Sequence, residues 1–312
     1  MSEPWAFDYQ LELSAVQRLA TENGLRGSVQ PLGAGWDYAT FLCGELVLRI
    51  PKRAHTAALL EDERRLLCAL GDALPLRTPQ PGAALIRGTG LPYAAMVYPL
   101  LVGEPLGEFS GEPRKRPGHA MAAQIGAQIG AFLTELAARV VALNAQAGDW
   151  SLPALPDAGL APSGLDEEWR QRGLLNIEAL APVLSDALRR DLTAELNAPL
   201  PAIASRTCLC HDDLNGDHIL VDASGQAVAV IDWGDCAIAP WWLDFVGVWQ
   251  WGGYPALDAA LHAHNAVLAT EELVHLRRRA LLASIGECRY EMQSAPNVWA
   301  PEVERYLRTM LE

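Results

Sequence analysis

Residues 211–235 limit the possible folds of this chain more than any other stretch. They open on His-Asp-Asp-Leu-Asn-Gly-Asp-His, run into Ile-Leu-Val, and close on Val-Ile-Asp-Trp-Gly-Asp. Two short apolar runs, 219–221 and 227–231, each meet a polar cluster at one end. Short apolar runs bounded by turn-forming residues read as buried strands. His211, Asp213, His218 and Asp232 are therefore delivered by strand ends, and a rigid scaffold presents chemistry at its edge in this way.

Asp213 is the leading catalytic candidate, because a carboxylate held against a hydroxyl can orient it and accept its proton. A lone aspartate in a turn more often caps backbone amides, but the company of two histidines and a second strand-end aspartate reverses that reading. His211 lies two residues earlier on the same side of an extended segment and is read as ordering the loop. Asp232 leaves a buried strand into Trp-Gly, a place from which a carboxylate can hold a metal that bridges phosphates. His218 is the second metal candidate, although imidazole suits a hard cation less well than oxygen does. Asp235 is read as stabilising the turn.

A second constellation lies far upstream. Residues 28–50 alternate as strands around a turn, and 56–70 read as a helix with Leu59, Glu63, Leu66 and Leu70 on one face. A carboxylate on that apolar face needs a cation. Arg49, a lone charge inside Leu46-Val-Leu-Arg-Ile, has the converse need. An Arg49–Glu63 ion pair answers both and would aim a cation at nucleotide phosphates. Lys52 is a competing partner, though after Pro51 it is expected off the strand. Gly33-Ala-Gly35 forms a short turn able to bring backbone amides near phosphate. No Gly-Lys-Ser/Thr follows it, so it is not a Walker loop.

The remaining pattern is mostly helical. Residues 84–98 give two more strand-like runs, 106–117 read as loop, and 118–144 as one helix with Ile125, Ile129, Phe132, Leu136, Val140 and Leu143 on its inner face. Residues 148–164 read as loop, 166–196 as one or two helices, and 241–311 as helices. The class is α+β, with a small β-rich N-terminal lobe over 1–97, a connector at 98–105 and a larger, mainly helical lobe over 106–312. Trp233, Trp241, Trp242, Trp249 and Trp251 are read as packing residues. Six cysteines without a Cys-x-x-Cys pair read as reduced thiols, and no export signal or membrane-length apolar run is visible. A cytoplasmic protein is expected. Net charge is −14, which disfavours nucleic acid and anionic membrane as partners. Between Arg206 and Arg277 no Lys or Arg occurs, so the motif sits in an acidic stretch that would attract Mg²⁺ and a cationic substrate.

With these residues in place, the chain resembles the aminoglycoside and macrolide phosphotransferase family, the small-molecule branch of the kinase-like fold. The resemblance runs from Gly33-Ala-Gly-Trp-Asp-Tyr through Leu48-Arg-Ile-Pro-Lys-Arg and Glu63 to Ile231-Asp-Trp-Gly-Asp and Asp244-Phe. It implies a two-lobed protein-kinase-like fold and transfer of the γ-phosphate of ATP or GTP to a hydroxyl of a small molecule, an antibiotic among the family's substrates, with Mg²⁺. The family's catalytic aspartate falls on Asp213 and its second metal-binding aspartate on Asp232. The purine would be held near Met96, Val97 and Tyr98. Three departures stand out: Asp212 where the family usually has Gly, His218 for its metal-binding Asn, and Arg49 for a common Lys. His218 looks like the macrolide and some 2″-aminoglycoside kinases, and Leu48-Arg-Ile-Pro-Lys-Arg looks most like the macrolide branch. Two other readings fit part of the pattern. One is a nucleotide-binding regulatory module without catalysis, suggested by those departures. The other is a metal-dependent hydrolase using His211, Asp213, His218 and Asp232, which leaves the glycine turn, strand cation and helix carboxylate unexplained.

Overall fold

The computed structural model describes residues 7–109, 116–145, 164–294 and 296–312. They form an α+β protein whose chain divides into two compact units. The first takes residues 1–102 together with 139–152 and 229–234. In it, helix α1 (Leu13–Glu22) precedes strands β1 (Val29–Ala34), β2 (Tyr38–Cys43) and β3 (Leu46–Pro51), helix α2 (Ala54–Leu70) and strand β4 (Met96–Pro99). The strands form one antiparallel sheet in the order β1-β2-β3-β4. Alternate residues of β2 and β3 join α1 in the core, where Val16, Leu19, Ala39, Phe41, Leu48 and Ile50 are buried together.

The inner stripe of α2 consists of Leu60, Glu63, Leu66, Leu67 and Leu70. Leu59, expected to share that face, is 41% exposed. The helix is rolled so that its 3.6-residue period carries Leu60 and Leu67 inward with Glu63. Of the strand-like runs expected over 84–98, only Met96–Pro99 joins the sheet, and Ile86 and Ala95 make an isolated bridge. Prolines and glycines interrupt the rest. The returning segment 229–234 is tied in by the Val230 N–H, which donates to Arg77 O at 2.9 Å.

The second unit takes residues 103–138, 153–228 and 235–312. Here β5 (Glu104–Pro105) leads into a short helix α3 (Leu106–Phe109), where loop was expected, and then into α4 (His119–Ala145). After α5 (Gly164–Leu180) and α6 (Asp186–Asn197) come β6 (Thr207–Cys210), β7 (Ile219–Val221), β8 (Ala227–Val230) and β9 (Ala237–Pro240), then α7 (Phe245–Ala263), α8 (Thr270–Ser294) and α9 (Pro296–Leu311). The strands make two small sheets, β5-β7-β8 and β6-β9. Ile125, Ile129, Phe132 and Leu136 of α4 are buried as expected. The side chains of Val140 and Leu143, residues 110–115 of the loop expected over 106–117, and residues 148–163 of the loop expected over 148–164 lie outside the described residues. Helix α4 meets α7 at very short range: a Cβ on Gly126 or Gly130 would strike the backbone of Ala256 or Ala260. The five tryptophans are buried, each worth about 2–3 kcal/mol of apolar burial. Among the described residues no helix is long and apolar enough to cross a membrane.

Candidate active site

The loop between β6 and β7 carries three of the expected site residues within the second unit. Its entry is fixed by Asp244, buried just before α7, which accepts the His211 N–H at 3.1 Å and the Asp212 N–H at 2.9 Å. Burial pushes the Asp244 carboxyl up to about 6, and the two N–H bonds pull it part of the way back. Asp212 adopts φ 63°, a left-handed conformation that Asp tolerates better than most side chains. Burial raises its carboxyl well above the usual range, with Arg279 opposing and Asp244, Asp235 and Asp213 adding to the rise.

The next turn orders Asp213. Its N–H donates to His211 Nδ1 at 3.3 Å, so that nitrogen is the acceptor and the ring proton sits on Nε2. His211 is fully buried and orders the loop from beneath. Asn215 Nδ2 donates to Asp213 Oδ1 at 2.7 Å. His218 Nδ1 lies 2.9 Å from the Asp213 carbonyl and 3.2 Å from Asp213 Oδ2. A carbonyl only accepts, so Nδ1 carries a proton and donates it to Asp213. The Asp213 side chain stays 36% exposed. A carboxylate held by two neighbours yet open to solvent is suited to take a hydroxyl proton.

The first unit assembles the other group. Arg49 is 2% and Glu63 4% exposed, and the two form the ion pair that their isolated charges required. The same guanidinium also pairs with Asp232, which leaves β8 at φ 61°. One cation thus serves two carboxylates. Burial raises the Glu63 carboxyl while Arg49 draws it back; burial lowers the Arg49 guanidinium, but Asp232 and Glu63 more than offset it and hold it well above its usual value. Lys52 is not the partner of Glu63. It is buried, and its Nζ donates to Gly35 O at 2.6 Å, strapping the glycine turn. Asp37 anchors the other side of that turn through an ion pair with Arg53 and a 3.1 Å bond from Thr56 Oγ1. Gly33 lies opposite Thr40, whose hydroxyl donates to its carbonyl at 3.0 Å. On β4, Met96 lies opposite Arg49, Val97 opposite Leu48 and Tyr98 opposite Val47. Met96 and Tyr98 are buried and Val97 is half-buried.

Sequence reasoning named neither the Asp244 clamp nor the Arg49–Asp232 pair among the site features. A signal for the first existed: Asp244 is the one charge in Trp241-Trp-Leu-Asp-Phe-Val. No local signal marks the second, because its partners are 183 residues apart. Among the described residues no group of three or more His, Cys, Asp or Glu could hold a metal. Mg²⁺ commonly takes only one or two protein ligands and fills its shell with phosphate and water, a demand that a single carboxylate such as Asp232 in the first unit suits by its donor type.

Comparison with known proteins gives a consistent picture. The model of the phosphotransferase enzyme family matches residues 28–307. Among solved structures, the GDP complex of wild-type aminoglycoside 2′-phosphotransferase-IIIa is similar, with 22% identity over 96% of this chain and 98% of that one and a TM-score of 0.65. A macrolide 2′-phosphotransferase from Brachybacterium faecium shares 21% identity over 95% and 97% of the two chains, TM-score 0.57. The streptomycin–ATP complex of APH(2″)-IIa shares 17% over 96% and 99%, TM-score 0.56. No curated protein matches. At these identities the structural likeness establishes the fold, which is kinase-like.

Proposed function

The chain belongs to the phosphotransferase enzyme family, and on that premise we propose that it moves the γ-phosphate of ATP or GTP to a hydroxyl of a small molecule, a macrolide or aminoglycoside antibiotic first among candidates. The observation that carries this reading is the buried Arg49, paired at once with the α2 carboxylate Glu63 and the strand-end Asp232. Phosphoryl transfer is achieved mainly by positioning and by balancing charge, and a fixed cation beside a metal-binding aspartate supplies both. Similar structures hold GDP or ATP, which supports a nucleoside triphosphate as donor. In this reading Gly33 and Gly35 lend backbone amides to the phosphates, and Met96, Val97 and Tyr98, in the stretch from Met96 to Leu100, receive the purine.

Asp213 orients the acceptor hydroxyl and accepts its proton, with Asn215 and His218 fixing the carboxylate and His211 ordering the loop. His218 and Asp232 would hold Mg²⁺, which when bound neutralises charge on the phosphates. The stretch from 207 to 276, free of Lys and Arg, favours an acceptor bearing an amine. The test is release of ADP or GDP, with Mg²⁺, against a panel of macrolides, aminoglycosides and other hydroxylated amines. Acceptor-dependent turnover that falls about 10²–10⁴-fold in Asp213→Asn supports the assignment; full activity in that variant sinks it.

A further inference from the structure

Arg49 is confined by more than its two carboxylates. Its guanidinium carbon lies 3.4 Å from the centroid of the Tyr38 ring. Tyr38 is 5% exposed and sits on β2 two residues from Thr40, the register partner of Arg49. Diagonal neighbours on one face of an antiparallel pair can reach each other when one side chain is aromatic. The edge of the same ring faces the turn that carries Asp232. A Cβ built on Gly234 would stand 3.1 Å from Tyr38 Cε2 and 3.0 Å from Arg49 Nη2. One ring therefore floors the cation and abuts the Asp232 turn. Its hydroxyl contributes little, since it reaches Glu63 Oε2 only at 3.5 Å, near the limit of a useful bond. Burial also pushes the phenol above its usual range, so it stays neutral beside the carboxylates.

We propose that Tyr38 is the positioning residue that makes an arginine workable at position 49: the ring face sets the guanidinium plane so that one nitrogen meets Glu63 and the other Asp232. A lysine ammonium has no plane to stack and acts as a point charge. A planar fork on an aromatic face can serve two acids at once. The identity of residue 49 and the aromatic face at 38 are thus one device. Its consequence for nucleotide affinity rests on the reading that Arg49 serves the phosphates.

The test uses the full chain and calorimetric titration with Mg²⁺–ADP and Mg²⁺–GDP. It compares the parent, Tyr38→Phe, Tyr38→Leu, Arg49→Lys and the double variant Tyr38→Leu/Arg49→Lys, with urea unfolding of each. Tyr38→Phe keeps the face and is expected to bind within twofold of the parent. Tyr38→Leu is expected to weaken binding about tenfold, with KM for nucleotide moving more than kcat. Arg49→Lys is expected to weaken binding about tenfold in the parent and less than twofold once Tyr38 is Leu. Equal losses in Phe and Leu variants, or additive losses in the double variant, would overturn the proposal. If the parent binds neither nucleotide, the phosphate reading of Arg49 fails; the coupling of the two sites in unfolding free energy still decides the role of Tyr38, additivity refuting it. Should Tyr38→Leu not fold, Tyr38→Met, long and unbranched but without a ring face, carries the same cycle.

Discussion

Asp244→Asn separates two things that most buried carboxylates confound, stability and loop geometry. The Asp244 carboxylate is 3% exposed and accepts the N–H groups of His211 and Asp212. Its pKa is pushed from 3.8 to about 6, so keeping it charged at neutral pH costs about 3 kcal/mol relative to water. Asparagine removes that cost, but its single carbonyl can serve only one donor well. Its NH₂ then faces the other N–H, and an orphaned buried donor costs about 1–3 kcal/mol. The terms offset, so folding stability at pH 7 is expected within about 2 kcal/mol of the parent, while turnover falls about 10- to 100-fold as the loop carrying Asp213 loses one anchor. The sign of the pH dependence follows from a folded pKa above the unfolded one. The contribution of Asp244 is fully present below pH 3.8 and is lost as pH rises through about 6. Urea unfolding from pH 5 to pH 7 should therefore show the parent losing about 1 kcal/mol more than the variant. Identical slopes, or unimpaired turnover in the variant, would refute the clamp.

Gly234→Ala places a methyl against Arg49 and Tyr38, and nucleotide affinity by titration should fall about tenfold. Glu63→Gln breaks a buried ion pair and should cost about 3 kcal/mol in urea unfolding; an unchanged midpoint would show that Asp232 alone satisfies Arg49. His218→Ala should raise the Mg²⁺ concentration for half-maximal turnover about 10- to 100-fold, whereas His218→Asn, which restores an oxygen ligand, should recover most of the loss.

The sequence carried the first half of each site and missed the second. Glu63 on an apolar helix face and Arg49 inside an apolar strand each advertised an unmet charge, so their pairing could be inferred without coordinates. The strand ends likewise exposed Asp213, His218 and Asp232, because short apolar runs between turns leave little else to infer. Arg49 with Asp232 was not legible. Neither residue has a local need that names the other, and only the fold brings 229–234 into the N-terminal unit. Lys52 lies off the strand, as expected after Pro51, but its use of the Gly35 carbonyl as an acceptor was not legible, because only the turn geometry brings the two together. Tyr38 reads in sequence as one more strand aromatic, and its use as a floor depends on register, not composition.

The backbone at Asp212 has a consequence for how this loop can change over generations. At φ 63° the main chain already has the shape glycine takes with least effort. Exchange of Asp for Gly there leaves the path of the chain intact and removes a carboxyl whose ionisation is opposed by burial and by its acidic neighbours. Position 212 is thus a place where the chain can gain or lose a carboxyl beside the loop that carries Asp213 while the backbone keeps its path.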